Sequence, residues 1–334
     1  MEMTARLGVG VAGVGRIGAL HARTLLSLNT VESVTFADLD AGRAADLATE
    51  LGASSARTPE ALVEAGIDAL VIAAPTPAHR VLLSLAAAAS VPAFCEKPVA
   101  LDLPTLEAVI AETAGILVQV GFQRRFDTGY RAAREAVASG ALGKTLVLRA
   151  ATHDPAPPPE EYIATSGGIF RDLHIHDFDA IRYVTGREIV EVYADGAVRE
   201  TDWFADHDDV DVAAALLRLD DGTLAIVSGT RHDPLGYDVR LEVFGTKDSI
   251  AVGVDERSPY RSVELGVPAN KQGYANFMER FADAYRAELE TFVDWLLEGK
   301  PSPCTLQDAR AALAVAIAAD RSRAERRPVR VDEV

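Results

Sequence analysis

The first 121 residues alternate between short apolar runs and longer amphipathic ones. Leu7–Ala12 (LGVGVA), Val31–Ala37 (VESVTFA) and residues 69–73 (ALVIA), 91–95 (VPAFC) and 116–121 have strand length and are mostly apolar. That is the pattern of strands covered on both faces. Helical periodicity runs through Leu20, Thr24 and Leu28, and again over residues 44–51, 61–65, 81–89 and 102–114. Strands and helices in strict alternation predict a doubly wound parallel sheet. From Phe122 the pattern changes. Residues 145–152, 189–198, 211–219, 223–230, 238–245 and 248–254 alternate apolar and polar positions, as strands of an antiparallel sheet with one covered face do. Leu219 and Ile226 are expected on the core side, with the opposite face open to a second copy. Asp220-Asp221-Gly222 reads as a hairpin turn. Helices are predicted from Phe170 onward, over 274–298 and over 306–326, with a last short strand at 328–331. The expected organisation is a Rossmann domain over residues 1–121 and an α+β domain over 122–334, built on a large, mainly antiparallel open sheet. Its C-terminal helices are free to pack back on the first domain.

The first strand runs into Gly13-Val14-Gly15-Arg16-Ile17-Gly18, and the second ends at Asp38. A GxGxxG turn between strand and helix, followed about 20 residues later by an acid, is a dinucleotide fingerprint. Gly13 permits the tight turn, Gly15 lets a pyrophosphate approach the backbone, and Gly18 lets helix and strand pack closely. The helix N-terminus offers unpaired N–H groups to the phosphates. Asp38 stands where a carboxylate accepts from the ribose hydroxyls and repels a 2′-phosphate, which favours NAD over NADP. Asp40 reads instead as a helix N-cap. Pro75, Thr76 and His79 follow the third long strand, where His79 either touches the cofactor or caps and packs. Glu96-Lys97-Pro98 ends the next strand, at the carboxyl edge where open α/β sheets bind ligands. A surface lysine is the bland alternative for Lys97.

The stretch Gly167–Asp179 (GGIFRDLHIHDFD) is dense in acids and imidazoles. On one continuous helix Asp172 and His176 would share a face, and a carboxylate beside an imidazole is a general-base pair. A solvated acidic helix start, or a metal set of His174, His176 and Asp179, would use the same residue types. The mixed spacings argue against the metal.

Composition narrows the partners. The net charge of −17 disfavours nucleic acid and anionic membranes. Two distant cysteines, Cys95 and Cys304, support neither a disulfide framework nor a zinc spacing, and so suit a reducing cytoplasm. No apolar run reaches spanning length, and the N-terminus enters the first strand without a basic start and apolar signal region.

Taken in order, GVGRIG, Asp38, PTPAH, CEKP, GFQRRFD and GGIFRDLHIHDFD resemble the Gfo/Idh/MocA oxidoreductase family over the whole chain. GFQRRFD, DPAPPPEEYI, GGIFRD, GYDVRLEVFG and RFADAYRAEL look most like its inositol dehydrogenases. The resemblance implies NAD-dependent oxidation of a secondary hydroxyl of an inositol to the ketone, without a metal. Lys97, Asp172 and His176 match its catalytic residues. His176 matches the base, Lys97 the cation on the reacting oxygen, and Asp172 the acid that orients the base or contacts a substrate hydroxyl. Gln123, Arg124, Asp154 and Tyr237, with Asp172 and His176, match positions lining a polyol site. The implied cofactor set is Gly13, Gly15, Arg16, Ile17, Gly18, Asp38, Pro75, Thr76, His79, Glu96 and Lys97. These substrate positions have structural alternatives: Arg124 or Arg125 paired with an acid between domains, Tyr237 in the core, Asp154 capping the PAPPP turn. His153 stands where these relatives carry an arginine, which leaves the isomer open. A pyranose or keto-sugar substrate, and a non-catalytic NAD-binding sensor, are the rival readings. The family also suggests a homotetramer.

Overall fold

In the computed structural model, which describes residues 6–268 and 270–334, each apolar run of the N-terminal half is a strand. Residues 1–5, where the stretch read as lacking a signal region begins, lie outside the described residues. The order is β1 (Leu7–Ala12), α1 (Arg16–Ser27), β2 (Val31–Ala37), α2 (Ala41–Leu51), β3 (Ser54–Ser55), α3 (Pro59–Glu64), β4 (Ala69–Ile72), α4 (His79–Ala88), β5 (Ala93–Glu96), α5 (Leu103–Glu112) and β6 (Val118–Gly121). The strands pair in the order β3-β2-β1-β4-β5-β6, all parallel. The order reverses direction beside β1, so the carboxyl ends of β1 and β4 flank the crevice where such sheets bind ligands. Local chemistry sets the helix starts. Asp40 caps α2 through the Gly42 and Arg43 amides, and Thr58 caps α3, with Pro59 in its first turn. Val9, Val11, Val34, Phe36 and Phe94 form the core together with Leu289, Phe292 and Trp295.

The second half continues with α6 (Thr128–Ala138), β7 (Thr145–His153), α7 (Glu160–Ser166), α8 (Ile169–Asp172), α9 (Ile175–Thr185), β8 (Ile189–Ala197), β9 (Val212–Leu219), β10 (Leu224–Thr230), β11 (Asp238–Gly245), β12 (Ser249–Val252), α10 (Phe277–Arg280), α11 (Ala282–Glu298), α12 (Leu306–Glu325) and β13 (Val329–Arg330). Its sheet runs β12-β11-β7-β10-β9-β8-β13. Every neighbouring pair is antiparallel except β7 and β10, which run parallel at the centre, with Gly229 opposite Thr152 and Thr230 opposite His153.

The chain divides into two compact units. The first runs up to Gln123 and takes in Tyr285–Arg310; the second comprises Arg124–Ala284 and Ala311–Val334. The first stretch of the first unit ends two residues past the expected boundary, and α11, one of the C-terminal helices left free to pack on the first domain, lies largely in that unit.

Three local expectations are corrected. The predicted helix over 274–298 is two helices, α10 and α11, meeting at Phe281, while Tyr274 pairs in an isolated bridge with Tyr237. The helix predicted from Phe170 breaks after Asp172. The His174 amide reaches back to the Ile169 carbonyl, a wide turn that swings the buried imidazole onto Asp177. Ile226 faces away from the core. Ala225, Val227 and Gly229 take the covered side of β10, leaving Ile226 45% exposed opposite Leu216, while Leu219 is buried as expected.

Candidate active site

In the first unit the glycine turn is built for a close ligand. Gly13 has φ +92°, and a Cβ on Gly18 would stand 1.9 Å from the Gly13 carbonyl oxygen, so neither position takes a side chain without moving the turn. A Cβ on Gly15 would meet open space. Gly15 caps α1 with no side-chain bond, so backbone amides of the helix start face the glycine turn. Arg16 is exposed and Ile17 half-buried at that start. Asp38 closes the turn: its Oδ2 accepts from the Val14 amide at 2.8 Å and its Oδ1 from the Asp40 amide at 2.9 Å. A bare helix start, room above Gly15 and a fixed acid at the end of β2 fit a dinucleotide.

At the end of β4, Pro75 is exposed and Thr76 half-buried in a short 3-10 turn. His79 is buried, with Nδ1 2.9 Å from the Pro98 carbonyl and Nε2 2.8 Å from the Ala74 carbonyl. Its packing role is therefore the one visible here, tying the Lys97-Pro98 segment to the end of β4. Lys97 is half-buried at the end of β5. Glu96 turns its carboxylate inward: Oε1 lies 2.6 Å from His21 Nε2, and Oε2 accepts from the Lys97 amide at 3.2 Å. Glu288 lies buried beside them, and His21, Glu96 and Glu288 form the one grouping of metal-ligand type among the described residues. Burial, then the neighbouring Glu96 charge, pushes the Glu288 carboxyl well above its ordinary range.

In the second unit Asp172 ends α8, and His176, half-buried, stands in the first turn of α9. Asp172 accepts from the Tyr162 hydroxyl at 2.7 Å on Oδ1 and from Arg231 Nη2 at 2.8 Å on Oδ2. The other arm of Arg231, Nη1, donates to Asp154 Oδ2 at 2.9 Å. Burial works against the Arg231 charge, but Asp172 and Asp154 more than offset it and hold the guanidinium above its ordinary value. Burial and Asp172 push the Tyr162 hydroxyl well up. Arg231 and Tyr162 are functional candidates that sequence reasoning missed. A signal for Arg231 exists. The parallel strands β7 and β10 end alike, in Thr152-His153-Asp154-Pro155 and Thr230-Arg231-His232-Asp233-Pro234. Backbone bonds from Asp154 N to Thr230 O and from Asp233 N to Asp154 O tie the two ends together.

Other expected site residues are placed deeper. Arg124, 1% exposed, gives Nη1 to Asp177 and Nη2 to Thr152 Oγ1. The partner is an acid, as the sequence left open, but it lies in the same unit and not across domains. Arg125 binds Asp179 with two parallel bonds of 2.8 and 2.6 Å. His174 Nδ1 lies 2.8 Å from Asp177. His174 and Asp179 are thus turned to Asp177 and Arg125, not toward a common ion with His176. Tyr237 is buried edge-on against Phe277 and Phe281. Gln123 is buried at the end of the first unit.

Residues 7–122 match the oxidoreductase family with an NAD-binding Rossmann fold, and residues 130–251 match the GFO/IDH/MocA C-terminal domain. The chain is similar to myo-inositol 2-dehydrogenase of Thermotoga maritima, 38% identical over 98% of this chain and 99% of the relative. It is also similar to myo-inositol dehydrogenase Hyg17 of Streptomyces leeuwenhoekii, 41% identical over 94% and 96%. Among solved structures, scyllo-inositol dehydrogenase of Lactobacillus casei with bound NAD(H) and scyllo-inositol superposes with a TM-score of 0.87 at 30% identity, covering 98% of this chain and 99% of that one. With both halves matched and nearly the full length covered, the chain belongs to the Gfo/Idh/MocA family of oxidoreductases.

Proposed function

We propose that this protein is an NAD-dependent dehydrogenase that oxidises one secondary hydroxyl of an inositol to the ketone. One observation carries the reading: Asp154 and Asp172, from the ends of β7 and α8, are held together by Arg231 in the unit that also presents His176. A cyclic polyol is a ring of hydroxyls, and it is recognised by fixed acceptors and donors rather than by an apolar slot. Inositol dehydrogenases similar to this chain, and a solved relative holding NAD(H) and scyllo-inositol, support the same substrate class.

The reaction removes a proton and a hydride from one CH–OH centre. NAD would be held by the glycine turn and Asp38, and when bound would supply the hydride acceptor. The proton is the protein's task. His176 takes it from the reacting hydroxyl, and an imidazole suits that role because its ordinary pKa lies near neutrality. Lys97 places an ammonium beside the oxygen and favours alkoxide character as the hydride leaves. Asp172 accepts from a substrate hydroxyl. No step calls on a metal ion. Lys97→Ala is expected to lower kcat/KM by at least about a thousandfold, with a far smaller change in NAD affinity by fluorescence titration; near-normal turnover in that variant would defeat the mechanism.

The protein acts as a homo-oligomer, a tetramer by family likeness. Tyr193, Leu216 and Ile226 form an apolar row, 43–46% exposed, across β8, β9 and β10 on the open sheet face. A face of that kind suits a second copy. Cys95 and Cys304, both buried as thiols, are compatible with a cytoplasmic location.

A further inference from the structure

We propose that Arg231 is the positioning residue of the polyol site, fixing Asp154 and Asp172 as a matched pair of acceptors that selects neutral, hydroxyl-rich rings. The inference deepens the function proposed above and rests on it.

Three features separate Arg231 from an ordinary buried ion pair. Its two arms go to two elements, Asp154 just past β7 and Asp172 at the end of α8, so one rigid planar group sets the distance between two carboxylates. Its own backbone is fixed as well, since the Arg231 amide donates to the Asp211 carbonyl at 2.7 Å. Arg231 is 2% exposed, which removes its guanidinium as a partner for bulk anions and leaves it to the two acids. An ionised carboxylate offers roughly four acceptor positions, and Arg231 takes one on each. Tyr162 takes another on Asp172, on the oxygen that Arg231 leaves, and so fixes the rotation of that carboxylate.

The charge balance then favours one class of ligand. Two carboxylates and one guanidinium sum to −1, so the cluster attracts hydroxyl donors and repels phosphate and carboxylate groups. Without Arg231 the two acids would repel each other, and one would retain a proton or swing away. Either change presents the wrong pattern to a ring whose isomers differ only in the direction of single hydroxyls. The sequence has His153 where an arginine was expected on β7. Arg231 approaches from β10, whose Thr230 is opposite His153. The guanidinium that orders this edge thus comes from the neighbouring parallel strand.

The test uses the full chain with NAD and a panel of inositol isomers, comparing wild type, Arg231→Met and Arg231→Lys. Arg231→Met is expected to raise KM for the preferred isomer about tenfold or more, to flatten the preference among isomers, and to leave kcat within about threefold. NAD affinity should not move. Arg231→Lys, which restores the charge without the two-armed reach, should recover part of the KM and none of the selectivity. Unchanged KM and selectivity in either folded variant would overturn the proposal, and Arg231→Lys decides alone if Arg231→Met fails to fold. Absence of turnover in the wild type would count against the proposed function instead. In that event carbon-13 aspartate spectra still decide: Arg231, Tyr162 and Tyr237 act on Asp154, and Arg231 and Tyr162 on Asp172. In the folded variant one of these carboxyls should titrate about one pH unit or more higher than in the wild type. Identical titrations would refute the pairing.

Discussion

Arg124 and Arg231 are both buried, and their surroundings give them different tasks. Arg124 is locked between Asp177 and Thr152, with Tyr237 and Tyr130 beside it, and Asp177 also holds His174. Burial pushes the Asp177 carboxyl up, but Arg124 and His174 more than offset it and bring it below its ordinary range. Removing one partner strands the other charge in the interior. Arg124→Met should therefore cost roughly 3–5 kcal/mol of stability, read by denaturant unfolding, whereas Arg231→Met should alter KM first. Glu288 makes a second residue-scale prediction. Its carboxyl is raised in the folded state by burial and then by Glu96. Above the ordinary carboxylate pKa the unfolded chain releases this proton while the folded chain keeps it. Its contribution to stability is thus complete at low pH and is lost as pH rises toward the folded-state value. Glu288→Gln removes the titration, so the variant should lose less stability than the wild type between neutral and alkaline pH. Parallel pH profiles for the two proteins would contradict this assignment.

At the scale of elements, the strand–turn–helix from Leu7 to Ser27 shows why the first sheet was legible in sequence. Its signals are local: a continuous apolar run, glycines at fixed offsets, and an acid at the end of the next strand. Gly18→Ala places a methyl against the Gly13 carbonyl and should force the turn open. The expected outcome is a loss of NAD affinity of about a hundredfold, measured by fluorescence titration, while far-ultraviolet circular dichroism stays native. The elements that sequence misjudged depend on distant contacts. Nothing in the spacing of Asp172 and His176 announces a break between them, because the turn at His174 is set by its bond to Asp177 and by burial between Phe170 and Phe178. The helical pattern over 274–298 likewise hid the junction at Phe281. Arg231 went unread for a similar reason. Its partners lie 77 and 59 residues away, and only the parallel pairing of β7 with β10 brings Asp154 to it.

At the scale of the whole molecule, the glycine turn and Lys97 belong to the first unit, and the acid–guanidinium cluster and His176 to the second. The exposed row of Tyr193, Leu216 and Ile226 belongs to this scale too. If the proposed oligomer is built on this face, a charge placed in its middle has no partner there, so Leu216→Glu should give a smaller species by light scattering while leaving each chain folded. An unchanged mass would place the subunit contact elsewhere. The central claim, however, concerns the reaction. The most direct measurement is NADH formation by the purified protein with NAD and a panel of inositol isomers, with pyranoses and NADP as the comparison arms. The account predicts rapid reduction of NAD with at least one inositol and little with NADP, because Asp38 repels a 2′-phosphate. Turnover confined to pyranoses, or no NADH with any inositol by protein that binds NAD, would contradict it.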